Sequence, residues 1–376
     1  PGRIVGVTAV GVVAAIAAMM LLYTSSNPIS WFPVEHPYRQ ASDLVNERFL
    51  GTSAIEVVID TGRENGLHEP ALMERLEALE RLVERHKGEG ARLSHTSSVL
   101  DIVKETHQAL NANDSAFYGV PEDRRLLAQE LLLFENSGSD DLEKVVDSQF
   151  SRARFTIGSR WTDGADTAPF LVGFEPEVRE TLGDGVTVEL TGMSPLIART
   201  VEATYQSMLR SYGLALALIT PLMILLIGSL RSGLVSMVPN LVPILFTMGM
   251  MGATGIPIDM FTLLAGCIAI GLAVDDSIHF ISGFRRYLAM GYDPVRAVEE
   301  TMHSTGRALL FTSIVLTSGF AVLLLSEMLN LRQVGALTSF AIVMAFLLDV
   351  TVTPALLVLT HRREVAAAGG LDRDPN

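Results

Sequence analysis

The stretch MFTLLAGCIAIGLAVDDSIHF, residues 260–280, decides how the whole chain is read. It opens as an uncharged apolar run and then sets Asp275, Asp276 and His279 where that run should continue. A hydrocarbon core of about 30 Å takes roughly 20 helical residues to cross, so the acids fall inside the span and not beyond it. An ionised carboxylate at the bilayer centre costs about 2.5–3.5 kcal/mol on insertion scales, which confines such residues to bundle interiors, water-filled paths and functional roles.

The composition agrees with a membrane setting. Of 376 residues, 49% are hydrophobic and 19% charged, too apolar and too poor in charge for an ordinary soluble domain. The formal charge of −14 is unevenly spread: residues 24–208 hold 17 Lys and Arg against 31 Asp and Glu, which is the entire imbalance. That segment reads as a solvated domain, and its acidic surface argues against nucleic acid as a partner. Cys267 is the single cysteine, so the chain offers neither a disulfide framework nor a cysteine metal site.

Six uncharged apolar runs are long enough to span: Ile4–Tyr23, Tyr212–Leu230, Ser232–Ala253, a fourth from near Pro257 that carries the aspartates, Ala308–Ser326, and a sixth from Gln333 to about Leu359. The reading is an α-helical membrane protein with six transmembrane helices, one before and five after a large α/β extracytoplasmic domain. Its divisions are 1–23 for the first helix, 24–208 for the insert, 209–360 for the second to sixth helices and 361–376 for a cytoplasmic tail. Arg3, Arg231, Arg285, Arg286, Arg296, Arg307, Arg362 and Arg363 alternate onto one side, whereas the opposite loops hold only Arg332. The basic side is cytoplasmic, which places both termini there and the insert outside. A rival reading makes 1–23 a cleaved signal peptide, but five remaining spans would then put the ends on opposite sides. The missing initiator methionine leads to the expectation of a chain cut from a longer precursor or begun in mid-chain.

Within the insert, SAIEVVID (53–60) alternates as a half-buried strand does. EPALMERLEALERLVERHK (69–87) sets Leu72, Leu76, Leu79 and Val83 on one stripe, with Glu77 and Arg81 four apart on the surface, and Gly88 and Gly90 end it. Further helices are predicted from Val99 and after Pro121, that proline standing in the first turn. SRARFTIGSRW (151–161) and GVTVELTG (185–192) read as later strands, and the recurrence of strand and helix points to split β-α-β units. Leu196–Arg210 reads as a helix feeding into the second span. His36, His68, His86, His95 and His107 have no metal-ligand spacing and read as surface residues. After the fourth span, Asp293 caps and Pro294 begins an amphipathic helix near 293–305, lying along the cytoplasmic interface and turning at Gly306 into the fifth span.

On a helix, Asp275 and His279 are four apart and Asp276 and His279 three apart, so all three can share a side, while the neighbouring acids point about 100° apart. Proton exchange, a structural ion pair or cap, and Na⁺ coordination all remain open. Against the ion pair, Arg231, Arg285, Arg307 and Arg332 lie near span ends and no Lys or Arg stands at matching depth. His279 fits a relay or a hydrogen-bonded structural role equally. In the fifth span Thr312, Ser313, Thr317 and Ser318 can reach the acids across an interface or simply pack. Asp349, in FLLDVTVTPALL (346–357), is a further membrane acid, read as an interfacial residue near Arg362 and Arg363. Asp259 and Glu327 are placed at the outer boundary, and Gly266 and Gly271 at close helix approaches.

GLAVDDSIHFISGFRR (271–286), the amphipathic helix after it, GRALLFTSIVLTSGFAVLLLS (306–326) and FLLDVTVTPALLVL (346–359) resemble the fourth to sixth helices of one half of a resistance-nodulation-division (RND) superfamily transporter, in particular the lipid exporters of the MMPL and hopanoid-transporter type. The resemblance implies proton-relay acids at Asp275 and Asp276, with His279 beside them, and a relay hydroxyl at Thr312; Asp349 and Thr317 are secondary polar candidates. Many lipid-type members carry Asp-Tyr where this chain has Asp275-Asp276. It further implies a bacterial inner-membrane protein with a periplasmic domain, using protons as coupling ion and no other cofactor. The substrate would be a hopanoid, sterol or other lipid, held in a cleft of 24–208 or at its membrane junction. Partners would be membrane lipids, a second six-helix half or a homo-oligomer copy, and periplasmic lipid-carrier proteins. A non-transporting sterol-sensing or lipid-binding module and a protein-translocation accessory are the alternatives. No nucleophile–base–orienter set or phosphate loop points to an enzyme.

Overall fold

A computed structural model describes residues 2–48, 51–87 and 93–371, the side chains of 165, 231, 232 and 361–371 excepted. Helix α1 (Gly2–Met19) begins it, apolar almost all round, with Ala15 its one buried residue. The chain then separates into an α/β unit, Ser26–Ser30 with Val34–Ala203, and a helical unit made of the rest.

The α/β unit runs α2 (Pro37–Arg48), β1 (Ser53–Asp60), α3 (Pro70–Arg85), β2 (Leu93–Ser97), α4 (Val99–Leu110), α5 (Arg124–Glu135), β3 (Arg152–Ser159), α6 (Gly164–Leu182) and β4 (Thr187–Thr191). Strict alternation in β1 buries Ile55, Val57 and Ile59 on one face, and the facing strands pair in register, Val57 opposite both Phe155 and Leu190. The sheet order is β2-β3-β1-β4 with every neighbour antiparallel, so β3 separates β1 from β2 and β1 separates β3 from β4. These are the two split β-α-β units that the strand–helix recurrence points to. Leu72, Met73, Leu76, Leu79, Leu82 and Val83 of α3 and Leu171, Phe174, Val178 and Leu182 of α6 join the strand residues in one core. The opposite face of β1 and β3 is polar: Thr156 donates to Glu56 at 2.6 Å and Arg152 to Asp60 at 2.7 Å.

Several details differ from the sequence reading. α5 begins at Arg124, not in the turn after Pro121, because the Asp123 carboxylate accepts from the Arg125 amide and fixes the start there. α6 was hidden by Pro169 and Pro176 inside it. His86 and His107 are not surface residues: each is half-buried against a carboxylate, Glu177 at 3.0 Å and Glu130 at 2.7 Å. Gly88 and Gly90 lie outside the described residues.

The helical unit continues with α7 (Met193–Ile227), which starts in the α/β unit, then α8 (Leu230–Ser236), α9 (Val238–Thr254), α10 (Met260–Ala289), α11 (Pro294–Thr301), α12 (Arg307–Ala321) and α13 (Leu329–Leu371). Among the described residues six helical stretches are long and apolar enough to cross a membrane. The most apolar windows of the third, fourth and sixth are 50%, 39% and 56% buried, against 6%, 6% and 11% for the others. α9, α10 and α13 therefore form the interior, and α1, α7 and α12 turn apolar side chains outward.

α11 does not turn at Gly306. It passes into α12 through a π-helical segment, Met302–Gly306, so that amphipathic stretch and span form one helical run. Gly271 faces open space and Gly266 meets only the Tyr212 ring tip, so neither marks a helix–helix contact of the expected kind. The close approach is between α1 and α9: a Cβ on Gly252 would sit 2.0 Å from the Ala18 carbonyl oxygen, and one on Gly249 2.8 Å from Ala15 Cα. Small residues that admit another backbone are what drive helix pairing where burial from water does not.

Gly252→Val is expected to destabilise the helical unit by about 1–3 kcal/mol through overpacking, read as a lowered thermal midpoint in detergent; Gly319→Val, whose Cβ meets open space, is expected to move it much less. In the α/β unit, burial, aided by the Arg124 charge, holds the His68 imidazole below its ordinary 6.5. The unfolded chain thus takes up a proton first, and stability falls as pH drops below about 6.5. Hydrogen-exchange protection around Gly66–His68 should weaken from pH 7 to 5 in the wild type, and His68→Phe should flatten that dependence.

Candidate functional site

α10 starts where Asp259 caps it: the carboxylate accepts from the Thr262 amide at 2.7 Å, and the Asp259 amide donates to Thr262 Oγ1 at 2.8 Å. From there Ala269, Ile270, Ala273, Val274, Ser277, Phe280, Ile281 and Phe284 recur at three and four and are buried. That stripe fixes the helical phase, and the phase sorts the polar residues.

Asp275 and His279 fall opposite the stripe. Their side chains are 69% and 66% exposed and 3.7 Å apart, an i,i+4 pair pointing out of this bundle. Asp276 is half-buried to one side. The expectation that all three share a side thus holds for Asp275 and His279 only, and Asp275 does not face the interior.

The interior position belongs to Ser277, fully buried, whose Oγ lies 2.6 Å from Asn240 Oδ1 of α9 and 2.7 Å from Asp349 Oδ1 of α13. Thr353, one turn on from Asp349, donates to the same carboxylate oxygen at 2.9 Å. Asn240, Asp349 and Thr353 are each 2% exposed. Asp349 is therefore not exposed at a surface: a buried face of α13 carries it between α9 and α10. Asp276 lies near enough for its charge to act on Asp349. No Lys or Arg forms a salt bridge with Asp275, Asp276 or Asp349 among the described residues. Sequence reasoning missed Ser277, Asn240 and Thr353. The signal available was a serine on the apolar stripe of α10, where an aliphatic residue would otherwise stand.

The fifth span contributes less than expected. Thr312 is exposed and donates to its own helix, to Ala308 O at 3.2 Å and Leu309 O at 3.0 Å, and does not reach the acids. Ser313 and Thr317 hold buried hydroxyls without partners, and Ser318 bonds back to Val315 O. These hydroxyls pack or bond locally because α12 lies on α13 and Ser339 of α13 reaches only the Thr317 carbonyl, at 3.3 Å. Beside Thr353 a small cavity opens between α8, α9 and α13, lined also by Ser236, Pro239, Leu357 and Thr360. Among the described residues no group of three or more His, Cys, Asp or Glu is placed to hold a metal ion.

Comparison with known proteins gives these helices relatives. The profile of the MMPL family matches residues 30–370. The membrane protein MJ1562 of Methanocaldococcus jannaschii is 24% identical over 348 residues, which are 88% of this chain and 83% of that protein. The trehalose monomycolate exporter MmpL3 of Mycobacterium tuberculosis is 29% identical over 178 residues, 46% of this chain and 19% of the exporter. The multidrug resistance protein MdtC of Escherichia coli is 28% identical over 185 residues, 48% of this chain and 18% of that protein. The chain thus spans most of the archaeal relative and under a fifth of the two transporters.

Proposed function

The chain belongs to the MMPL family, and on that premise we propose that it is one six-helix half of a secondary transporter that moves a hydrophobic, lipid-class substrate outward through the inner membrane, driven by proton entry at Asp275 and Asp276. The observation that carries this reading is the exposed Asp275–His279 pair in the middle of α10, with Asp276 beside it and no Lys or Arg partner among the described residues. Left against lipid, such a carboxylate would cost about 2.5–3.5 kcal/mol. A second six-helix bundle seated on this face would remove the pair from lipid and complete a path for protons between the halves. The lengths of MmpL3 and MdtC, several times the matched region, accord with a bundle of two halves.

In this reading the α/β unit lies on the periplasmic side and both ends of the chain on the cytoplasmic side. The substrate is a hopanoid, sterol or other lipid; the exporter among the relatives, whose cargo is a mycolate ester, favours the lipid class. α7, unbroken from Met193 to Ile227, would transmit motion between α/β unit and spans. Protons drive such motion only if the two conformations bind them with different affinity. The Thr312 hydroxyl bonds within its own helix and the Thr317 hydroxyl is buried without a partner, so this reading rests no step on either.

The test is lipid transfer from liposomes holding the assembled protein, with and without an imposed pH gradient. Wild type should respond to the gradient, and Asp275→Asn/Asp276→Asn should lose most of that response while still binding lipid. Equal gradient-driven transfer by both would remove these acids from the coupling.

A further inference from the structure

The cluster of Asn240, Ser277, Asp349 and Thr353 cannot satisfy all its contacts unless a proton is accounted for. Ser277 has one hydroxyl proton, yet it stands 2.6 Å from an amide oxygen and 2.7 Å from a carboxylate oxygen, both acceptors. Thr353 already gives its own proton to Asp349 Oδ1. Meanwhile Asn240 Nδ2, on a side chain 2% exposed, is buried with no partner at all.

Two arrangements resolve the conflict with these same atoms. In one, Asp349 is a neutral acid: its O–H donates to Ser277 Oγ, and Ser277 donates to Asn240 Oδ1. In the other, the Asn240 amide is turned over so that Nδ2 donates to Ser277 Oγ, and Ser277 donates to an ionised Asp349. The second gives the stranded N–H its acceptor and leaves the amide oxygen in its place, a smaller penalty than an unpaired N–H. Each arrangement gives every hydroxyl proton one acceptor, the first leaving Asn240 Nδ2 without one, and the two differ by one proton on Asp349 and one amide rotation.

We infer that Asn240, Ser277, Asp349 and Thr353 form a proton-binding site internal to this half, separate from the exposed Asp275–His279 face, in which the Asn240 amide turns over as Asp349 gains or loses its proton. The proton passes between Asp349 and water by way of the Thr353 hydroxyl and the cavity it shares with Ser236 and Thr360, whose hydroxyls offer lone pairs along the way. On loss, the proton leaves past that cavity to bulk water, and the charge left on Asp349 is held by two hydroxyl donors.

The site ties together the three interior helices, since its members come from α9, α10 and α13. Pro354, directly after Thr353, leaves the Val350 carbonyl without its helical donor, a gap in the α13 hydrogen-bond ladder beside the carboxylate. Of the charged groups around it, Asp276 on α10 is the one that acts on Asp349; α9 contributes the neutral Asn240, and no other charge bears on it among the described residues. A proton taken up at Asp349 therefore also relaxes repulsion toward Asp276, which connects the internal site to the coupling acids. Only that connection rests on the transporter reading; the site itself does not.

The experiment is infrared difference spectroscopy on the assembled protein in lipid, following the carboxylic-acid C=O stretch between about pH 5 and pH 9. A band that disappears on raising the pH, is absent in Asp349→Asn and survives in Asp275→Asn/Asp276→Asn supports the site. Ser277→Ala, which keeps the carboxyl but removes its bridge to Asn240, should shift the band's midpoint by at least about one pH unit. A band that persists in Asp349→Asn, or no titrating band in a wild type shown to be folded, overturns the proposal. So does a band abolished by Na⁺ at fixed pH, which would make this a sodium site. Transport is not read in this experiment, so absence of gradient-driven lipid transfer in the wild type, or equal transfer by Asp275→Asn/Asp276→Asn, would count against the coupling reading and leave the internal site standing.

Discussion

The buried stripe of α10 is the constraint from which the rest of the helical unit follows. Ala269, Ala273, Phe280, Ile281 and Phe284 lock one face of a 30-residue helix into the interior. Once that face is set, no rotation can improve the position of one polar residue without worsening another. Ser277 is carried inward, Asp275 and His279 outward, and Asp276 to the flank. One helix thereby presents polar chemistry on two faces: a buried cluster within the bundle and an open Asp275–His279 pair on its outer surface.

The packing that holds this arrangement is of the membrane kind. Apolar side chains gain little by leaving lipid for protein, so close backbone approach and hydrogen bonds between helices take over. Gly249 and Gly252 bring α9 onto α1, and the contacts of Asn240, Ser277 and Asp349 fasten α9, α10 and α13 to each other. At the other end of α10, Gly283 lies against Thr301 and Thr305, and the backbone of Met302–Gly306 widens into π-helix there. A π segment at the junction of α11 and α12 lets a single helical run satisfy two packing registers.

The α/β unit obeys ordinary aqueous rules by contrast. Its sheet buries one face and leaves ion pairs and hydroxyls on the other, and its net acidity lies on a solvated surface. Its buried acid is paired: Glu130 meets His107 at 2.7 Å. The same carboxylate chemistry thus takes different partners in the two units. In the α/β unit an imidazole answers it, and in the helical unit only neutral hydroxyls and an amide do, because Lys and Arg are too costly to bury among spans.

Much of this could be read directly from the residues. Six apolar runs, the alternation in SAIEVVID and the stripe of Leu72, Leu76, Leu79 and Val83 depend on local periodicity, which sequence displays without help from the fold. The oddity of Asp275 and Asp276 was equally visible, since cost in a membrane depends on residue type and depth. Which way each residue faces was not. A helix of apolar residues gives weak evidence of its own phase, so the inward turn of Ser277, the full burial of Asp349 and the outward turn of Thr312 were settled only by α9, α10, α12 and α13 meeting. The sequence determined that this chain carries charge into a membrane; tertiary packing alone decided which carboxylate is sealed inside and which is presented outward, because burial is a property of neighbours that lie far away along the chain.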